Sequence, residues 1–277
     1  MPETPRIAVP SGATDCHMHI YGPPDRYPVA ASNPSPVPFE RDLAGYRAVK
    51  ERLGLDRTVV VQPTAYGTDN RCTLDAVAAL GAARAVVSVR PEITEEELSR
   101  LHAAGARGAR TFMLPGAVVT WEELPALAAR VAPLGWHVQM QFDGGDLPLR
   151  EATLRALPCP FVIDHIGRFH EPVPPEAEPV RALLRLLETG RCWVKLSSPY
   201  GTSRRGAPGY EDVSTVARAL VKAAPERMVW GSNWPHPNAP RPKPDEAPLL
   251  DLLADWAPDE AVRRAILVDN PARLYAF

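Results

Sequence analysis

Eight short runs rich in β-branched residues recur along the chain, and each is followed by a longer stretch whose apolar residues fall at helical spacing. The runs cover 14–20, 57–62, 84–89, 109–113, 137–142, 161–165, 193–197 and 228–232. Helical patterns follow at 41–53, 73–81, 94–104, 121–134, 150–156, 180–189, 213–223 and 248–254, with a closing one at 259–267. Strictly alternating strands and helices pack as parallel strands joined by crossover helices. Eight such units predict a (β/α)8 TIM barrel. The length of 277 residues is nearly consumed by one barrel, which needs roughly 250. With no internal repeat and no linker, residues 1–277 read as a single domain. Two helix starts are well marked. Thr94 with Glu97 forms a capping box, and Thr120 precedes Glu122 and Glu123, acids placed where the helix dipole favours them.

Composition narrows the partners. The 31 basic and 33 acidic residues leave a formal net charge of −2. No strong field draws in nucleic acid or an anionic membrane. The apolar runs are too short to span a bilayer, and Met1 to Gly12 has no secretion-signal pattern. Cys16, Cys72, Cys159 and Cys192 are scattered, the usage of a reduced cytoplasmic protein. Proline is the outlier: 32 residues, over twice the usual share. It clusters at Pro23–Pro38, Pro172–Pro179 and Pro235–Pro248, after the first, sixth and eighth runs. Loops in those places lie at the C-terminal face, where barrels build active sites. Proline gives a long loop a defined shape by limiting its unfolded conformations.

Histidines collect at the same face. In Asp15-Cys16-His17-Met18-His19 the two imidazoles alternate along a strand and so point to one side. Asp164-His165-Ile166-Gly167-Arg168 supplies a third histidine at the end of run six. Trp230-Gly231-Ser232-Asn233-Trp234-Pro235-His236-Pro237 follows run eight, and the chain closes on Asn270-Pro271-Ala272-Arg273-Leu274-Tyr275. Paired imidazoles ligate a metal or donate to one oxygen.

In this order the motifs resemble the amidohydrolase superfamily, over essentially the whole chain. The branch they resemble contains 2-pyrone-4,6-dicarboxylate lactonase, 4-sulfomuconolactone hydrolase and galactarolactone isomerase. Gln62 to Asn70, Arg107 to Arg110 and Lys195-Leu196-Ser197 fit the same branch. The resemblance implies a metal-free enzyme acting on a lactone, with Arg110 at the family's carboxylate-binding position. Asn233 departs from the pattern: most members carry aspartate there, as metal ligand or as the base that activates water. Asparagine cannot accept that proton.

The catalytic set expected is therefore His17, His19, His165 and Asn233. The histidines would donate to the lactone carbonyl oxygen, better if protonated. Zinc or manganese on His17, His19 and His165 is the alternative. Arg110, Arg204 and Arg26 are expected to hold substrate carboxylates through paired hydrogen bonds, with Thr64, Tyr66, Tyr200 and His236 lining the site; Asn70 and Ser197 are further candidates. Without a base at 233, attack by a hydroxyl tethered in the substrate is favoured over attack by water. That points to isomerisation of a sugar-diacid lactone. Hydrolysis, with His236 or Asp143 as base, is the alternative. A metal-dependent decarboxylase and a non-catalytic sugar-acid binding barrel are further readings. The expected partner is a small carboxylated lactone, with the chain a monomer or a homodimer.

Overall fold

The structure is a computed structural model that describes residues 3–31, 33, 37–39, 41–113, 117–237, 239 and 242–277. Pro34, Pro36 and Pro240 of the proline clusters lie outside these residues. Eight parallel strands form one sheet in sequence order: β1 (Thr14–Met18), β2 (Arg57–Val61), β3 (Ala83–Val87), β4 (Ala106–Phe112), β5 (His137–Gln141), β6 (Phe161–Ile163), β7 (Cys192–Leu196) and β8 (Met228–Trp230). Between them run α1 (Leu43–Arg52), α2 (Arg71–Leu80), α3 (Glu95–Ala103), α4 (Leu124–Val131), α5 (Leu147–Arg155), α6 (Glu178–Leu187) and α7 (Glu211–Ala223). After β8 come α8 (Glu246–Asp251), α9 (Leu253–Trp256), α10 (Glu260–Arg264) and α11 (Asn270–Tyr275). The sheet closes where Asn233 N donates to His17 O at 2.7 Å and His19 N to Trp234 O at 2.8 Å. This is the (β/α)8 barrel that the alternation predicts.

The strands are apolar on both faces because the barrel buries both. Val59, Val61, Val86, Val162 and Val229 pack with Cys16, Trp193, Leu274 and Tyr275 in an inner cluster. Alternate residues such as Val60 and Val87 join the larger core beneath the helices. Gly108 is required by this interior: a Cβ there would lie 2.4 Å from the His137 ring. The four cysteines are free and buried. Among the described residues, no helix is long and apolar enough to cross a membrane.

The cap signals are met with one exchange. Thr94 Oγ1 accepts from Glu97 N at 3.2 Å, but the Glu97 carboxylate turns to Arg100. The reciprocal box forms at Thr120, whose N donates to Glu123 Oε2 at 2.8 Å while Glu123 N donates back at 3.4 Å. Several strands are shorter than expected, so His19, His165 and Asn233 stand just beyond strand ends. There the backbone can turn to aim them: His165, Ser198, Asn233 and His236 all adopt φ between 53° and 58°. Left-handed backbone is costly for side chains with a Cβ and clusters at functional sites.

Candidate active site

β1 carries a bulge between Asp15 and Met18. Cys16 thereby packs in the inner cluster while His17 and His19 both reach the polar layer above it. Asp15 fastens the seam. It accepts from His17 N at 3.0 Å, Ser232 N at 2.9 Å, Ser232 Oγ at 2.6 Å and Tyr46 OH at 3.1 Å. Gly231 belongs to the same join: a Cβ would sit 2.6 Å from the Cβ of His17.

A cavity of about 810 Å³ opens at the C-terminal end of the strands. Of the residues expected from sequence, His19, His165, Asn233, Arg110, Thr64 and Tyr200 line it. His17 lies beneath, fully buried, with Nε2 3.3 Å from Nε2 of His19. Tyr66 is buried among tyrosines, its hydroxyl accepting from Gly22 N at 3.0 Å. His236 stands behind Tyr200, 2.8 Å from its hydroxyl. Arg26 and Arg204 do not line the cavity. Arg26 pairs with Asp75 at 2.6 Å and Arg204 with Glu171 at 2.6 Å, all on the surface. Each arginine meets an acid 49 or 33 positions away, a pairing invisible in sequence.

The hydrogen bonds assign the protons. Val61 O can only accept, so at 2.8 Å it takes the hydrogen of His19 Nδ1. Neutral His19 then has a bare Nε2, and the 3.3 Å contact places the His17 hydrogen on its own Nε2. The remaining Nδ1 of His17 lies 3.4 Å from both Lys195 Nζ and Asp164 Oδ1; as the bare nitrogen it accepts from Lys195. Neutrality follows from burial, which holds His17 and His165 well below the usual histidine range and His19 at about 3, with the cations Lys195 and Arg110 adding to the effect. Burial thus works against the expected protonated donors, and in this assignment the hydrogens of His17 and His19 are already engaged. His165 differs. Its Nδ1 contacts Ser197 Oγ at 2.8 Å, which leaves Nε2 for the cavity.

Sequence reading missed a buried polar layer. Lys195 Nζ donates to Cys16 O at 2.8 Å and Gln139 Oε1 at 2.7 Å, and stands 3.9 Å from Asp164 Oδ1. Burial pushes its ammonium down to about 8, against the pull of Asp164. Arg110 donates to Gln62 O at 2.9 Å and Gln141 Oε1 at 3.2 Å, with Asp164 Oδ2 at 3.6 Å. A lone lysine one strand face along from Trp193, inside an apolar run, was the available signal. Arg41, Arg168 and Lys243 also line the cavity. They come from loops whose side-chain directions no strand period fixes.

His17, Asp164 and His165 place possible metal-ligand atoms within 4.8 Å of one another, and Asp164 Oδ1 has no hydrogen-bond partner. The charges do not suit a divalent ion. Lys195 and Arg110 both stand within 4 Å of Asp164, Lys195 occupies the free nitrogen of His17, and residue 233 is a neutral amide. A further double positive charge would face two fixed cations and one carboxylate.

A family model described as amidohydrolase matches residues 14–277. The chain belongs to the amidohydrolase family. This amidohydrolase is 39% identical over 279 residues to the D-galactarolactone isomerase of Agrobacterium fabrum, covering 98% of this chain and 93% of that one. It is 37% identical over 285 residues to the 2-pyrone-4,6-dicarboxylate hydrolase of Comamonas testosteroni, covering 99% and 93%. An apo crystal structure from Agrobacterium tumefaciens superposes with a TM-score of 0.93 at 38% identity, covering 99% of both chains. The family match and these relatives agree with the resemblance read from sequence.

Proposed function

We propose that this amidohydrolase acts on the carbonyl of a carboxylate-bearing lactone and converts one ring size of a sugar-diacid lactone into another. The cavity wall carries the reading. Arg41, Arg110, Arg168 and Lys243 line it, and no carboxylate does among the described residues. Such a wall favours a small anion. The similarity to relatives named D-galactarolactone isomerase and 4-sulfomuconolactone hydrolase supports the reaction class.

The chemistry follows from the proton assignment. With the Ser197 hydroxyl donating to its Nδ1, neutral His165 carries its hydrogen on Nε2, which donates to the lactone carbonyl oxygen and stabilises the oxyanion that forms. Arg110, held charged by Asp164 and with its guanidinium carbon 4.0 Å from the centre of the Phe112 ring, fixes a substrate carboxylate and so the position of the carbonyl. Asn233 gives its Nδ2 hydrogens to Tyr200 OH at 2.8 Å and Ser198 Oγ at 3.3 Å. Its Oδ1 is left to orient a substrate hydroxyl without removing a proton. A hydroxyl tethered in the substrate attacks at high effective molarity and needs less activation than water.

The test is incubation with a panel of carboxylated lactones followed by NMR. A ring-isomerised lactone is the expected product. Open acid alone would make the protein a lactone hydrolase, and no turnover of any carboxylated lactone would defeat the reading.

A further inference from the structure

We propose that Tyr200 carries the proton in the ring exchange and passes it through His236, which Glu246 holds in place. The assignment rests on the lactone reading of this site. Tyr200 lines the cavity, with its hydroxyl 2.8 Å from Asn233 Nδ2 and 2.8 Å from His236 Nδ1. His236 Nε2 lies 3.0 Å from Glu246 Oε1, and Arg52 binds the other Glu246 oxygen. All three members of the chain are buried. Among the described residues His236 does not line the cavity, and Tyr200 stands between the two.

The partners give the chain a direction. A carboxylate accepts, so His236 carries its hydrogen on Nε2, and Nδ1 takes the hydrogen of the Tyr200 hydroxyl. The phenol oxygen in turn accepts from the Asn233 amide. Its other lone pair stands beside the Ser198 hydroxyl, which turns aside for the substrate hydroxyl in the step. Burial holds the phenol well above the usual tyrosine range, so Tyr200 passes a proton rather than standing as a phenolate. Left-handed backbone at Asn233 and His236 aims both side chains at one hydroxyl.

The step balances. The substrate hydroxyl oxygen forms a bond to the lactone carbon, its proton moves to Tyr200, and the Tyr200 proton moves to His236 Nδ1. The carbonyl oxygen becomes an oxyanion. On collapse the carbon–ring-oxygen bond breaks, and its electron pair leaves with the ring oxygen. That oxygen takes a proton from Tyr200 as His236 returns its own. One proton is transferred between two oxygens on the same carbon, with no change in oxidation state. Tyr200 is the catalytic residue here, and His236 and Glu246 are positioning residues.

The experiment compares wild type with Tyr200→Phe, Glu246→Gln and Glu246→Asp on a lactone that the wild type converts, each variant first checked for an unchanged circular dichroism spectrum. Tyr200→Phe is expected to lower kcat about 100-fold or more, the size of a lost proton-transfer group, with KM within about threefold. Glu246→Gln is expected to lower kcat about tenfold at constant KM, and Glu246→Asp to recover part of that loss. A Tyr200→Phe enzyme that keeps kcat and changes only KM would overturn the proposal. A substrate-free readout separates the two claims: ¹⁵N NMR of labelled histidine should show His236 protonated at Nε2, with an Nδ1 signal that moves in Tyr200→Phe. A proton on Nδ1 overturns the relay whatever the substrate. Wild type with the expected His236 spectrum but no turnover of any carboxylated lactone defeats the lactone reading, and the assigned step with it.

Discussion

The ammonium of Lys195 lies 3.4 Å from Nδ1 of His17, on the side of the ring away from the cavity. The contact agrees with the tautomer that Val61 O sets at His19 and His19 passes to His17, so the proton positions of the two histidines follow from a carbonyl on one side and an ammonium on the other. It also puts a fixed positive charge where a metal's charge would have to stand.

Activity is therefore expected to survive exhaustive dialysis against a chelator, and added zinc or manganese should change kcat less than about twofold. Elemental analysis and turnover before and after dialysis check this. Activity lost on chelation and restored by either metal would show the charge argument to be wrong.

Asn233→Asp puts a carboxylate beside the hydroxyls of Tyr200 and Ser198, where it can serve as a base toward water. The variant should release more open-chain acid from the same lactone. Ring exchange should fall by about tenfold or more, because negative charge beside a developing oxyanion is unfavourable. Product partition by NMR at matched conversion is the measurement. A wild type that yields only open acid contradicts the isomerase reading.

Arg110→Lys keeps a cation but loses the planar pair of donors. Transition-state binding of a carboxylated lactone should weaken by about 2–5 kcal/mol in kcat/KM. The neutral methyl ester of the same lactone should be affected far less. Equal losses on both substrates would mean that Arg110 acts through Gln62, Gln141 and Asp164 rather than on the ligand.

Acid should unfold this protein early. Burial, with the charge of Lys195 or Arg110 adding to it, holds His137 and His19 at about 3, and His17 and His165 are also depressed; the unfolded chain titrates its histidines near 6.5. Between those values the unfolded state binds more protons, so stability falls as pH drops from about 6.5 toward 3, by about 1.4 kcal/mol per pH unit for each such group. Urea midpoints across that range measure the slope. His137→Leu, at the barrel floor against Tyr275, should make it shallower, and an unchanged slope would remove His137 from the account.

Gly231→Ala forces a Cβ to within 2.6 Å of His17 Cβ and 2.9 Å of His17 N. Overpacking of this kind costs about 1–3 kcal/mol. Here it also displaces His17, so turnover should fall together with the thermal midpoint. A stable variant with full activity would show that the seam between β1 and β8 tolerates movement.

The alternation of strand and helix, the closing histidine motifs and the anomalous asparagine were legible in the chain itself, because each is local. A β-branched run reads as a buried strand from its neighbours alone, and a period of two tells which residues share a face. That was enough to bring His19, His165, Asn233 and Arg110 to one cavity. The same logic failed for Arg26 and Arg204. An arginine looks alike in sequence whether it meets a ligand or an acid on the next loop, and Asp75 and Glu171 are found only by folding.

The amino-acid sequence by itself determined the barrel and the end of it that carries the chemistry, since hydrophobic period and strand-end motifs depend on near neighbours. Only the tertiary structure decided which groups are charged and where the protons sit. Lys195 and Arg110 come from two strands and Asp164 from just past the end of a third, and Glu246, His236 and Tyr200 from two loops and a helix start. Their ionisation is set by burial and by contacts at 3–4 Å between residues distant in sequence, which no local pattern encodes.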